Sequence, residues 1–294
     1  MNLVESSNNS STLGFNSGST YIQDSSDLMF DLIDMLPNPS IQHRNHFRGN
    51  FLGSKVTADQ ISSIRNGTFK DIWIGDYWTD SSGMNWRVAD INYYWHRQAL
   101  PETLSNGDHN HFKANHILVI PDEILFELTS EFTLDQPLTD GGVVNQQWLI
   151  ESESKSLTYA SRFAEDSYLI EVPRLLPSAM NTDRYFTSRA ILMKKVIIPT
   201  EAMVTGSNYI APQQPGDKGI MWNHSYEQWQ LKLFKLGGMK YISTTNNGYY
   251  LTSDGFSTGA AFPTWSKYGY FVEGTIRSHI ASGTSGIRPL IALG

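Results

Sequence analysis

The sequence contains no cysteine, which excludes disulfide bonds, thiolate nucleophiles and cysteine-ligated zinc. Charge is also scarce: only 17% of the 294 residues are charged, and the formal net charge is −7. Affinity for nucleic acid depends largely on Lys and Arg side chains that neutralise phosphates. We therefore predict no direct nucleic-acid partner.

Long apolar runs and enzyme motifs are missing as well. No stretch approaches the roughly 18 consecutive apolar residues of a membrane span, so no membrane partner is predicted. Residues 1–30 lack a basic segment followed by an apolar one, and we expect no signal peptide there. The sequence also lacks G-x-S-x-G, H-E-x-x-H, P-loop and G-x-G-x-x-G motifs. These absences predict a protein that is not an enzyme, with no catalytic residue and no cofactor.

One histidine cluster, "GDHNHFKANH", raises the question of a metal site. His109 and His111 are two residues apart, and a strand would point both rings to one face. His116 follows five residues later. The neighbouring Asn, Gly and Asp are typical of an exposed loop, and no carboxylate follows at a recognised ligand spacing. We therefore predict no metal site, and keep a metal-dependent enzyme that uses these three histidines as a third hypothesis.

The residues that are abundant indicate a β-rich body. Hydrophobic residues make up 40% of the chain and aromatic residues 12%, and clusters of Gly, Asn and Ser suggest polar, uncharged loops. Residues 1–27 are rich in Ser, Asn, Gly and Thr and predict a flexible arm. We predict two parts: residues 1–49, an arm with a short docking helix, and residues 50–294, one structural domain.

The docking helix is predicted from "SSDLMFDLIDMLPNP", with Ser26 as its N-cap and Pro37 as its stop. An isolated helix this short is marginal in water, so it must pack against something. Its own domain and a neighbouring subunit are both open as that surface. The side chains predicted to make the subunit contact are Leu28, Phe30, Leu32, Ile33 and Leu36.

Further along the chain, three local patterns predict specific elements. Thr57 followed by Gln60 is a capping box, and Gly67 suits the left-handed position after a two-turn helix. Alternating runs at residues 72–75 and 84–89, separated by "TDSSG", predict a hairpin. The apolar run "HILVIPD" predicts a central strand buried on both faces.

The aromatic residues divide into two groups. Those of the hairpin region are predicted to be core, because large rings at strand spacing are more often packed inside than used as a ligand platform; they are Trp73, Trp78, Trp86 and Trp95. From Gly206 onward we predict loops and short strands. Aromatic rings on such polar loops suit carbohydrate or protein surfaces. The candidate recognition residues are Trp222, Trp229, Tyr249, Tyr250 and Trp265.

Four segments together resemble a known family. They are "NGTFKDIWIGDYWTDSSGMNWRVADINYYWH", "NHILVIPD", "ILMKKVIIPTEAMVTGSNYIAP" and "SGTSGIRPLIAL". In this order they resemble a domain found in structural proteins of bacteriophages that infect Gram-positive bacteria, whose signature is Ile-Gly-Asp-Tyr-Trp-Thr. The chain departs from the family pattern at "VEGTIRSH", where a Trp-Leu-Arg run is usual. It also lacks the Glu-Pro-Asn and Gln-Pro-Asp motifs of lectin calcium sites, so no such site is implied.

The resemblance implies an α+β fold: a compact C-type-lectin-like domain with long loops, preceded by an extended N-terminal arm and short helices. It implies a virion structural protein, in the capsid, a head decoration or fibre, or the tail, made in the host cytoplasm and located in the virion. The partners would be copies of itself and other virion proteins. The alternative is a receptor-binding or adhesin module that attaches to the host cell by recognising cell-wall carbohydrate.

Overall fold

A computed structural model of the chain has a mixed α+β architecture. It describes residues 43–95, 112–128, 138–140, 143–145, 147–180, 186–206, 229–242, 250–257, 265–272, 275–280 and 285–294. The predicted docking residues of the N-terminal helix lie outside this part; they are Leu28, Phe30, Leu32, Ile33 and Leu36. Within the described residues, no helix is long and apolar enough to cross a membrane.

The largest element of the fold is a six-stranded sheet. Its strands, in sheet order, are β1 (Phe51–Gly53), β2 (Tyr77–Thr79), β3 (Asn85–Ile91), β4 (Ile117–Pro121), β15 (Leu290–Leu293) and β10 (Val196–Ile197). β1 pairs with β2 in parallel, and all other neighbours are antiparallel. The C-terminal strand thus lies between two strands from the middle of the chain.

The interior of this sheet explains why "HILVIPD" is so apolar. Every residue of β4 is buried, and the strand is flanked by β3 and β15, so the predicted central strand is confirmed. β3 is buried continuously from Trp86 to Ile91. Its alternating sequence therefore does not mark a solvent-facing side, because both faces of the strand are covered.

The predicted hairpin is present, but its first strand begins later than expected. Ile74 forms only an isolated bridge with Phe47, and the paired strand starts at Tyr77. Between them the chain turns: Asp76 donates its backbone N–H to the Trp73 carbonyl at 3.1 Å, and Gly75 has a φ of +86°. The strand predicted at residues 72–75 is wrong for this reason, since a left-handed glycine ends an extended run.

The predicted helix is confirmed as α1 (Ala58–Arg65). Thr57 Oγ1 accepts from the Gln60 N–H, and the Gln60 side chain accepts from the Thr57 N–H, which completes the capping box. Gly67 has the expected left-handed φ, at +63°. Ile61 and Ile64 are the buried residues of this helix, so its apolar face packs onto the core.

The rest of the described chain forms a second sheet, two hairpins and short helices. The second sheet contains, in order, β13 (Thr275–Ile280), β12 (Trp265–Val272), β11 (Tyr250–Ser257), β14 (Ser285–Ile287) and β5 (Phe126–Leu128). The hairpins are β6 (Leu138–Asp140) with β7 (Val143–Asn145), and β8 (Val172–Met180) with β9 (Phe186–Lys194). The helices are α2 (Gln147–Ala160), a 3-10 turn (Asp166–Tyr168), α3 (Glu201–Thr205), α4 (Lys232–Gly237) and α5 (Met239–Ile242).

The strands predicted after Gly206 are present, but some are longer than expected and two helices accompany them. β11, β12 and β13 are six to eight residues long, and α4 and α5 were not expected at all.

The core supports the assignment of the hairpin tryptophans in part. Trp78 and Trp86 are fully buried, and the Trp86 ring stacks on Phe163 with 4.5 Å between ring centroids. Trp73 and Trp95 are partly exposed, so the prediction is confirmed only for the first two. The Trp73 ring instead stacks on that of His43, with 3.9 Å between ring centroids.

Residues 43–49 of the predicted arm pack against the domain. Arg48 donates its backbone N–H to the Ile74 carbonyl, and its guanidinium pairs with the buried Asp76 at 2.6 Å. Arg44 pairs with the buried Asp90 at 2.7 Å. The β2–β3 hairpin carries the Ile-Gly-Asp-Tyr-Trp-Thr motif, and we call it the signature hairpin. We call residues 43–50 the strap, because the buried carboxylates of Asp76 and Asp90 hold them against the domain.

Candidate functional site

A cleft of about 530 Å³ lies beside the signature hairpin. Three separate segments form it: the turn between β2 and β3, the residues that follow β4, and α5. Its lining residues are Ser82, Gly83, Met84, Asn85, Asp122, Glu123, Lys240 and Tyr241. This volume falls within the range of about 300–1,000 Å³ that is typical of small-ligand sites.

One wall of the cleft is built on an ion pair between neighbouring strands. Arg87 donates from Nε and Nη2 to the two carboxylate oxygens of Asp122, at 2.7 and 2.5 Å. The guanidinium lies 4.7 Å from the Tyr77 ring centroid and 5.0 Å from that of Tyr241. Burial alone would lower the pKa of Arg87, but the hydrogen bonds and charge of Asp122 outweigh it and raise the pKa. The Asp122 carboxylate is therefore held in one orientation.

Asn85 extends this arrangement across the hairpin. Its Nδ2 donates to Asp122 Oδ2 at 3.3 Å, and its Oδ1 accepts from the Thr79 hydroxyl at 2.8 Å. The amide is thus held from both sides. A carboxylate and an amide with fixed orientations stand next to each other in the cleft.

The turn that carries Ser82 and Gly83 is organised around Asp80. Its carboxylate accepts from the Ser82 N–H and hydroxyl, from the Met84 N–H and from Trp86 Nε1, at 2.6 to 3.1 Å. Burial would raise the pKa of Asp80, but these hydrogen bonds, led by that of the Ser82 hydroxyl, lower it. The turn is consequently a rigid rim of the cleft rather than a loose loop.

The opposite rim is α5, which a buried arginine ties to the sheet. Arg288 donates from Nε to the Pro121 carbonyl and from Nη1 to the Tyr241 carbonyl, both at 2.7 Å. Lys240 Nζ lies 4.7 Å from the centroid of the Tyr241 ring. The Gly-Ile-Arg-Pro segment therefore positions a wall of the cleft without lining it.

His116 is a core residue and not part of an exposed metal cluster. Its Nε2 accepts from the Tyr94 N–H and its Nδ1 donates to the Ala114 carbonyl, both at 3.0 Å. Burial lowers the pKa of His116 to about 4, and the charge of Arg44 acts in the same direction. His109 and His111 lie outside the described residues. Among the residues that the structure describes, no group of three or more potential ligands is arranged to hold a metal ion.

Of the candidate recognition aromatics, Trp229 does not line this cleft. Trp229 is 43% exposed, and its carbonyl accepts from the Tyr93 hydroxyl at 2.8 Å. Tyr250 pairs with Phe271 at one end of the β11–β12 ladder, whereas Trp265 lies at the other end. Trp222 and Tyr249 lie outside the described residues.

The residues that do line the cleft were missed by the sequence analysis. Asp122 had a signal, because it ends the "VIPD" segment directly after a buried strand, where a polar side chain lies at the end of the sheet. Lys240 and Tyr241 had none, since they come from a helix more than a hundred residues away.

Comparisons of the chain with family models, with curated proteins and with solved structures find no match. The family resemblance thus stays a prediction from four sequence segments.

Proposed function

We propose that this chain is a non-enzymatic structural protein of a bacteriophage virion, with a body of C-type-lectin-like fold. It would occupy the capsid, a head decoration or fibre, or the tail, and assemble through contacts with copies of itself and other virion proteins. One observation carries the proposal: the four segments that resemble the phage family are separate in the sequence but contribute neighbouring strands to one sheet.

The strands show this arrangement directly. The first segment contains β2 and β3, the second contains β4, the third contains β10, and the last contains β15. Together these are five of the six strands of the large sheet, in the order β2-β3-β4-β15-β10. Segments that resemble one family and also form one folding unit support a common architecture more strongly than four unrelated matches would.

The signature itself supports a structural use. The Asp of "IGDYW", Asp76, accepts from Arg48 Nε and Nη2 and from the backbone N–H groups of Asn50 and Trp73. Trp78 donates its indole N–H to Gln60 of α1 at 3.1 Å. The signature residues thus join the strap, the sheet and α1, which supports a role in holding the fold together.

Labelling of purified particles tests this proposal. An antibody to this chain should decorate intact virions in electron micrographs, and quantitative mass spectrometry should find the chain at a fixed copy number per particle. Deletion of residues 1–40 should leave a folded protein that no longer incorporates. Virions that carry no label and no peptide of this chain would contradict the proposal, whereas normal incorporation of the deletion variant would contradict only the attachment role of the arm.

A second function, recognition of host cell-wall carbohydrate, is favoured by the cleft. Its lining combines carboxylates, an amide and a hydroxyl with the apolar surface of Met84 and Tyr241. Sedimentation with purified host cell walls tests this role for the whole protein. The exposed Trp229 can be replaced by Ala, with the equally exposed Leu236→Ala as control, to ask whether the loop aromatics contribute.

A further inference from the structure

We propose that the cleft beside the signature hairpin binds one neutral sugar unit, with Asn85, Asp122 and Glu123 as partners of its hydroxyl groups. The proposal rests on the second function above and gives it a site and a ligand class. It is built on residues other than the loop aromatics that the sequence predicted.

Two fixed polar groups of the cleft have unused hydrogen-bonding capacity. A carboxylate offers about four acceptor positions. Asp122 uses three of them, two for Arg87 and one for Asn85. The Asn85 amide has two donors and about two acceptor positions, and only one of each is engaged. Both side chains line the cleft: Asp122 can still accept from a hydroxyl group, and Asn85 can still donate to one and accept from one.

The lining residues that the structure describes carry no excess of either charge. Asp122 is neutralised by Arg87, and the other charged residues among them, Glu123 and Lys240, have opposite signs. A phosphate or sulfate group needs a concentration of cations, and an ammonium group needs an excess of carboxylates. A polyhydroxylated ring without charge needs neither, and a mixed set of donors and acceptors suits it.

The polar groups of the cleft are also held rigidly. The Arg87–Asp122 pair, the Thr79–Asn85 hydrogen bond and the Asp80-centred turn hold the polar groups before any ligand arrives. Ordering side chains on binding reduces affinity, so preformed groups bind a small ligand at lower cost. Met84 and Tyr241 supply the apolar surface that the C–H face of a sugar ring requires.

Saturation-transfer difference NMR on the full-length protein provides the direct test. The probes are the methyl glycosides of glucose, galactose, rhamnose and N-acetylglucosamine, each at concentrations up to about 20 mM, typical of weak single-unit binding. We expect at least one of them to bind. Glucose 6-phosphate and glucosamine serve as charged probes and should bind at least about fivefold more weakly than the best neutral one.

Two variants then locate the site. Asn85→Ala and Glu123→Gln should each weaken binding of the best probe about fivefold to tenfold, as expected from loss of one or two hydrogen bonds. Glu123→Gln keeps the shape of the side chain and guards against a folding defect in the first variant. The matched control is Glu165→Gln, on an exposed residue away from the cleft lining, which should bind like the parent.

The possible outcomes separate this proposal from the function on which it rests. Failure of all four neutral probes, equal binding of a charged probe, or full binding by both cleft variants would overturn the proposal. If the protein nevertheless sediments with host cell walls, carbohydrate recognition stands and only the cleft is wrong. If a neutral probe binds in the cleft but host cell walls are not bound, the host-recognition function is wrong and the sugar site stands.

Discussion

Protonation of His116 should destabilise the fold in mildly acidic solution. The ring is 1% exposed, with Phe112 edge-on at 5.3 Å and Tyr94 at 6.0 Å. Nε2 must be unprotonated to accept from the Tyr94 N–H, and the Arg44 charge also opposes protonation. A protonated imidazole would lose this hydrogen bond and place two N–H donors where only one acceptor is available.

The size of the effect follows from the pKa of His116 in the folded and in the unfolded chain. The pKa is about 4 in the folded protein against an ordinary value of 6.5, which we take for the unfolded chain. At about 1.4 kcal/mol per pKa unit, this difference corresponds to about 3 kcal/mol in the free energy of unfolding. Because the unfolded chain binds the proton first, the contribution of His116 to stability is constant well above pH 6.5 and falls as the pH is lowered from about 6.5 to 4. By pH 5 the loss from this residue should be about 2 kcal/mol.

Urea denaturation followed by tryptophan fluorescence measures this loss. The parent protein, His116→Gln and the exposed control His46→Gln should be compared between pH 7.5 and pH 4.5. Glutamine does not titrate, so the stability of His116→Gln should fall less with pH than that of the parent, by about 2 kcal/mol at pH 5. The carboxylates titrate in all three proteins and cancel in the comparison. If His116→Gln follows the same pH profile as the parent, the buried neutral histidine is not the cause.

Three further predictions concern stability at neutral pH, each measured as a change in the urea midpoint. Asp76→Ala should cost about 3 kcal/mol, because it leaves the partly buried Arg48 and two backbone N–H groups without their acceptor; a loss below about 1 kcal/mol would contradict this role. Gly75→Ala should cost more than about 2 kcal/mol, since the left-handed backbone disfavours a side chain and the new Cβ would meet the Phe47 ring; a neutral effect would show that the strap moves freely. Thr57→Ala should cost about 1 kcal/mol through the lost helix cap, whereas Thr57→Ser should retain most of the stability.

Elements whose signals are local were predictable from the sequence. The capping box of α1 involves residues three apart, and the "TDSSG" turn is closed by Asp80 contacts no more than six residues away. The apolar run of β4 needs no knowledge of its partners, because any strand buried on both faces must be apolar. In each case the physical cause lies within the segment itself.

The cleft was not predictable because its residues come together only through strand order. Arg87 meets Asp122 across the β3–β4 ladder, and α5 is held there by Arg288, which is 167 residues from Pro121. No local pattern in "VIPD", "NWRV" or "MKYI" indicates that these segments adjoin. The family resemblance pointed to the same segments as a signature, but not to the space between them.

The missed helix α4 shows the same limit in a more specific way. Its N-cap residue, Leu231, makes no side-chain cap hydrogen bond, so the usual start signal is absent from the sequence. The backbone N–H of Lys232 instead donates to Asp90 Oδ2, which is 3.1 Å away in space and 142 residues away in the sequence. A helix that is capped by a distant carboxylate cannot be recognised from its own sequence.

The contacts of Asp90 also show what the buried acids of the signature hairpin do. Asp90 accepts from Arg44 of the strap at 2.7 Å and from the Lys232 N–H of α4, so one side chain of β3 joins two outlying segments. Asp76 does the same for Arg48 and Asn50. Both carboxylates are fully buried, where an unpaired charge would be strongly destabilising. The two acids therefore make folding of the sheet depend on the segments packed around it, and the predicted hairpin is a junction between distant parts of the chain.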